Sequence, residues 1–190
     1  EMFAAMLERR LWLKDARNPS NDGMEIQVPF KSPFFYTAVE HELAHILFES
    51  NPIAKTQFVM HYITATQEAL KSNRLALNDD EIRELNALIE SVIGTLEDAR
   101  VASLWQRLYR GSAVLMREMH RASVKPHLRG AHRSLEAFFI TYGADPEETP
   151  TGKYTPYGPL LDRAKEMVAQ RTFTTTLVAT KWLLVQVVDL

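Results

Sequence analysis

The sequence predicts an α+β chain that is predominantly helical, with one small edge sheet near its start and additional C-terminal helices. Three observations carry that expectation. Apolar residues recur at i, i+3, i+4 and i+7 along most of the chain, the spacing that gives a helix one apolar face. Met24 to Phe30 alternates instead, with the period of two that belongs to a half-buried strand. Two stretches rich in turn formers, Asn18 to Gly23 and Gly143 to Pro159, punctuate the helical pattern.

Met2 to Leu13 places Met2, Phe3, Met6, Leu7 and Leu11 at helical spacing and reads as a first helix. After the turn, Met24, Ile26, Val28 and Phe30 face one way and Glu25 and Gln27 the other, and Pro29 suits a sheet edge because it donates no N–H. An edge strand beside a catalytic helix can pair with an extended peptide; a plain core strand fits the same residues. Ser32-Pro33 then supplies a helix start and Asn51-Pro52 a stop, framing a helix over about Pro33 to Ser50.

That helix carries His41-Glu42-Leu43-Ala44-His45. Histidines four residues apart lie about one turn apart and project toward one point, as a tetrahedral zinc ion requires. Glu42 follows the first histidine, so its carboxylate stands beside the same point and can take a proton from an attacking water. This is the H-E-x-x-H pattern of metal-dependent peptide hydrolysis, and Glu42 is its candidate general base. By composition alone the pattern arises in roughly one chain in a hundred of this length, so it is moderately specific. Its neighbours Val39, Leu43, Ala44, Ile46, Leu47 and Phe48 are apolar and would bury it, and buried histidines and glutamates need a partner such as a cation.

Ala54 to Lys71 reads as the next helix; His61 within it is read as a surface or core residue rather than a ligand. Asn78-Asp79-Asp80 caps a long helix over Glu81 to Tyr109 that bends near Gly94. On it Glu97 shares an apolar row with Ile93, Val101, Leu104 and Leu108, so a carboxylate points off an otherwise apolar stripe. A carboxylate there would complete a His₂Glu set with His41 and His45 and leave a fourth position open. Asp98 could accept the outer N–H of a ligating histidine, and Arg100 could balance the acids or steady an oxyanion. The alternative is a helix surface with an ordinary Glu-Asp-Arg charge cluster. His120, Tyr109, Tyr154 and Tyr157 are candidate oxyanion donors.

His41 to Phe48 followed, after a long helical spacer, by Leu96-Glu97-Asp98-Ala99-Arg100-Val101 resembles the metallopeptidase-like domains that precede von Willebrand A modules in cobaltochelatase-T-like and related bacterial and phage proteins. The resemblance covers about Met24 to Leu108. It implies a zincin fold of the gluzincin kind, with Glu97 at the place of the third zinc ligand and Asp98 next to it. It also implies a protein or peptide substrate and a von Willebrand A or AAA ATPase partner. The alternative within the same resemblance is a zinc-bearing scaffold with little or no hydrolysis.

Beyond Gly111 the pattern gives helices over Ala113 to Ala122, Ser134 to Tyr142 and Leu160 to Leu190. Arg121 to Arg133 is basic and contains His127 and His132; it reads as a solvated loop. Gly143 to Pro159 reads as a long loop bordering the cleft.

Composition bounds the rest. A formal net charge of −2 argues against a general nucleic-acid binder. With no cysteine, neither a disulfide nor a thiolate site is available, so a metal must be held by His, Asp or Glu. No signal-peptide pattern or membrane-length apolar run appears, the longest candidate, Leu177 to Leu190, being interrupted by Lys181 and Gln186. We therefore expect a cytoplasmic, membrane-free domain, a core over about 24–110 with a helical annex over 111–190, excised from a longer chain that begins before Glu1.

Overall fold

A computed structural model of the chain describes residues 11–17, 19–124, 134–145 and 152–188. The described residues are mostly helical with one three-stranded sheet. Contacts gather the chain into two compact units, Glu1–Ser50 with Val101–Ser123, and Asn51–Arg100 with Val124–Leu190.

The first unit holds the sheet. Strands β1 (Trp12–Asp15), β2 (Ser20–Asn21) and β3 (Glu25–Val28) lie in the order β1-β3-β2, with β1 parallel and β2 antiparallel to β3. The turn into β3 is made by Asp22, whose carboxylate accepts from the N–H groups of Met24 at 2.9 Å and Glu25 at 2.7 Å, and by Gly23 at φ +90°, a conformation a side chain would oppose. These N–H groups, Glu25 foremost, hold the Asp22 carboxyl below its ordinary range. Helix α1 (Phe35–Leu47) follows, and its buried Ala38, Val39, Leu43 and Ala44 pack with Ile26 and Val28 of β3. Val101 and Trp105 of α3 (Asp79–Leu108) and Met116 of α4 (Ser112–Val124) complete this core.

The second unit is helical. Helix α2 (Pro52–Ser72) starts at Asn51, whose side chain accepts from Ala54 N–H at 2.9 Å, with Pro52 in the first turn where no N–H is needed. The unit continues through residues 79–100 of α3, then α5 (Leu135–Ala144), a 3₁₀ turn (Thr155–Tyr157), α6 (Gly158–Val168) and α7 (Phe173–Val188). Ile89, Val92, Ile93 and Leu96 of α3 are fully or almost fully buried against Phe138, Phe139, Leu161, Ala164, Ala179 and Leu183. Gly143 is required here because a Cβ at that position would stand 2.4 Å from Cγ2 of Thr95.

Several sequence expectations are corrected. The first helix does not run to Leu13, since Trp12 to Asp15 are strand; its earlier residues lie outside the described residues. The strand expected at a sheet edge is the central strand, paired on both sides. Pro29 does not prevent this because it follows the last paired residue, Val28, and no ladder bond needs its N–H. The motif helix lacks the expected Ser32 cap on its own first turn: its cap residue is Phe34, and Ser32 Oγ instead accepts from Phe34 N–H at 3.1 Å. The last expected helix is two, α6 and α7, separated at Gln170, which adopts φ 60°. Part of the expected 143–159 loop is the end of α5, the 3₁₀ turn and the start of α6, and residues 121–124 of the expected 121–133 loop are the end of α4; residues 125–133 and 146–151 lie outside the described residues.

Candidate metal centre

The centre of the first unit is the inner face of α1. Val39, Leu43 and Ala44 are fully buried, and this packing carries His41 and Glu42 inward with them, each 7% exposed. His45 sits one turn on, half-buried. The Nε2 atoms of His41 and His45 approach to 3.1 Å. Two nitrogens on one tetrahedral zinc at about 2.0–2.1 Å each would stand about 3.3–3.4 Å apart, so the helix presents nearly the spacing the ion requires.

The ring of His45 is oriented from its other side. Helix α1 ends at Leu47, and Glu49 beyond it, with a φ of 58°, turns the chain back so that Ser50 N–H donates to His45 O at 2.9 Å. That fold-back sets Ser50 Oγ 3.0 Å from His45 Nδ1, leaving Nε2 as the nitrogen that faces His41. Glu42 is oriented by the sheet: Asn21 of β2 donates from Nδ2 to Glu42 Oε2 at 2.7 Å.

A third histidine belongs to the same unit. Helix α4 places His120 with its ring centre 5.0 Å from that of His41, the planes at 85°, and with ligand nitrogens within 4.8 Å of each other. The available signal in the sequence is that His120 lies four residues after Met116, which is buried at 1% exposure, so both point to one face of α4. Of the other oxyanion candidates, Tyr109 packs on Trp105 with ring centres 4.4 Å apart, and Tyr154 and Tyr157 pack against the core of the second unit. His61 is exposed on α2.

The second unit holds Glu97 and Arg100, 5% and 1% exposed. Arg100 donates from Nε to Glu97 Oε2 at 2.7 Å and from Nη2 to Oε1 at 2.5 Å, a bidentate pair. Thr176 Oγ1 donates to Glu97 Oε2 at 2.9 Å, and Arg100 Nη1 donates to the carbonyl of Arg171 at 3.1 Å. Both oxygens of Glu97 thus have protein partners, and the pair ties α3 to α7 through Thr176 and to the turn before it through the Arg171 carbonyl. Asp98 is partly exposed on the same helix and shares the i, i+3, i+7 stripe of Val101 and Trp105.

The donor set fits a zinc ion. The two imidazole nitrogens converge, the buried carboxylate of Glu42 comes from the next residue of the helix, and the Asn21 amide nitrogen and the Ser50 hydroxyl engage Glu42 and His45 Nδ1 without competing for Nε2. No protein-family model matches the chain, and no curated protein or solved structure matches it.

Proposed function

We propose that this chain is a zinc-dependent metallopeptidase with a zincin-like core, hydrolysing peptide bonds of a protein or peptide substrate. The observation that carries the reading is the 3.1 Å approach of the His41 and His45 Nε2 atoms on a helix that also buries Glu42, the residue after His41.

When bound, zinc supplies Lewis-acid polarisation of the scissile carbonyl and an acidified water. His41 and His45 hold the ion through Nε2. Glu42 takes the proton of the attacking water and returns it to the leaving amine, its carboxylate kept in one orientation by Asn21. The resemblance gives the third ligand place to Glu97, and taking that place requires its bonds to Arg100 and Thr176 to rearrange.

The test is incubation of zinc-loaded chain with an unfolded protein, with and without chelator, alongside Glu42→Gln. Chelator-sensitive cleavage is expected, with the variant retaining zinc and losing about 10²–10⁴-fold in rate. Full activity in Glu42→Gln overturns the mechanism. A zinc-loaded wild type that cleaves nothing leaves the scaffold reading, in which the centre serves a von Willebrand A or AAA ATPase partner.

A further inference from the structure

We infer that Ser50 is the positioning residue of the second histidine ligand: the turn that stops α1 carries the hydroxyl that holds His45 with Nε2 turned to the metal. This rests on the metallopeptidase reading above. A histidine that gives Nε2 to zinc keeps its proton on Nδ1, and that N–H needs an acceptor. The acceptor is commonly a carboxylate, a backbone carbonyl or a water. Here the group 3.0 Å from His45 Nδ1 is the Ser50 hydroxyl.

The local backbone explains why these two side chains meet. Helix α1 ends at Leu47, with Phe48 as its cap residue. Glu49 follows at φ 58°, and two backbone bonds close over the helix end: Glu49 N–H donates to Ile46 O at 3.3 Å and Ser50 N–H donates to His45 O at 2.9 Å. These are the paired reverse bonds of a Schellman stop, which sets the second residue past the cap against the third residue from the helix end. The side-chain contact between those positions is ordinarily apolar. In this chain they are Ser50 and His45, so the same contact is a hydrogen bond and falls on a candidate ligand. Glycine usually precedes that second residue because a Cβ opposes positive φ, yet Glu49 holds the place here.

The ring is thereby held at both nitrogens. His45 Nε2 lies 3.1 Å from His41 Nε2 on one side, while Nδ1 meets Ser50 Oγ on the other. Ser50 is half-buried, and its own N–H is tied to the backbone carbonyl of His45, so the hydroxyl is anchored to the residue whose ring it holds. A hydroxyl oxygen accepts from Nδ1–H without adding a charge beside the site. Ser50 therefore selects which nitrogen of His45 is offered and leaves the charge of the centre to its other groups.

The measurement is zinc affinity by chelator competition and zinc content by elemental analysis, on the full chain, for wild type, Ser50→Val and Ser50→Thr. Valine and threonine share their branching and nearly their shape, so an effect on packing or on the turn is common to both and the hydroxyl alone separates them. Ser50→Val is expected to lose about 10–100-fold in zinc affinity, the loss typical when the outer partner of a ligand histidine is removed, and Ser50→Thr to bind zinc as wild type does. Wild-type affinity in Ser50→Val overturns the inference and leaves the metallopeptidase reading in place. Equal losses in the two variants also overturn it, because a part in the turn alone would behave that way. A wild type that takes up no zinc overturns both. Should the variants fail to fold, long-range proton–nitrogen NMR of the zinc-loaded wild type decides. A proton on His45 Nδ1 protected from exchange with water is expected, and zinc on Nδ1 or a freely exchanging Nδ1 proton overturns the assignment.

Discussion

Asn21 Nδ2 donates to Glu42 Oε2 at 2.7 Å, joining an edge strand to the general base across twenty-one positions of sequence. The bond restricts a flexible carboxylate to one orientation. It also gives β2, only two residues long, a role beyond pairing with Ile26 and Gln27 of β3.

Replacing Asn21 by Ala should therefore lower kcat while leaving zinc content unchanged. Proton transfer by a positioned base contributes about 10²–10⁴-fold, and a base that is present but unheld should forfeit about tenfold of it. Steady-state kinetics paired with elemental analysis checks this. A variant with wild-type kcat would mean that Glu42 needs no help from the sheet.

The Glu97–Arg100 pair should behave as a structural lock of the second unit. Arg100→Ala leaves a buried carboxylate without its main partner, a change that costs about 3–5 kcal/mol when one member of a buried pair is removed. Equilibrium urea unfolding should show that loss. Glu97→Gln keeps the shape and the Thr176 contact and should cost less. Equal stability of Arg100→Ala and wild type would remove the lock.

Stability should fall in alkali through Tyr142. Its hydroxyl donates to Asp162 Oδ2 at 2.8 Å, and partial burial together with that carboxylate pushes its pKa up to about 12 from the ordinary 10.0. The native state therefore keeps the proton longer than the unfolded chain. Its contribution is complete below pH 10 and is lost as the pH rises from 10 to about 12. Urea midpoints measured across that window should decline more steeply for wild type than for Tyr142→Phe. Parallel curves would show that this group is not the cause.

The sequence by itself determined the local half of this protein. His41, Glu42 and His45 stand together because helical spacing alone brings i and i+4 to one face, and no distant residue is needed for that. The long helix around Glu97, the cap at Asn51 and the alternation of Ile26 and Val28 are legible for the same reason, since backbone period and capping act over a few residues. Glu97 was also legible as a buried acid in need of a cation, and the structure supplies Arg100 from the next turn of the same helix.

Tertiary structure decided what lies beyond one element. That β3 is central and not an edge depends on β1 reaching it from the other side, which alternation in β3 cannot reveal. The break between α6 and α7 depends on a single left-handed residue, Gln170, within a stretch of continuous helical spacing. Asn21 at Glu42, Ser50 at His45 and His120 at His41 are side-chain meetings set by how strand, chain reversal and helix pack on α1. A hydrophobic pattern specifies which face of each element turns inward, but it carries no information about which polar residue of another element will meet that face. The packed core of Val39, Leu43, Trp105 and Met116 makes that choice, by fixing α1 and α4 in the one arrangement that fills the space between them.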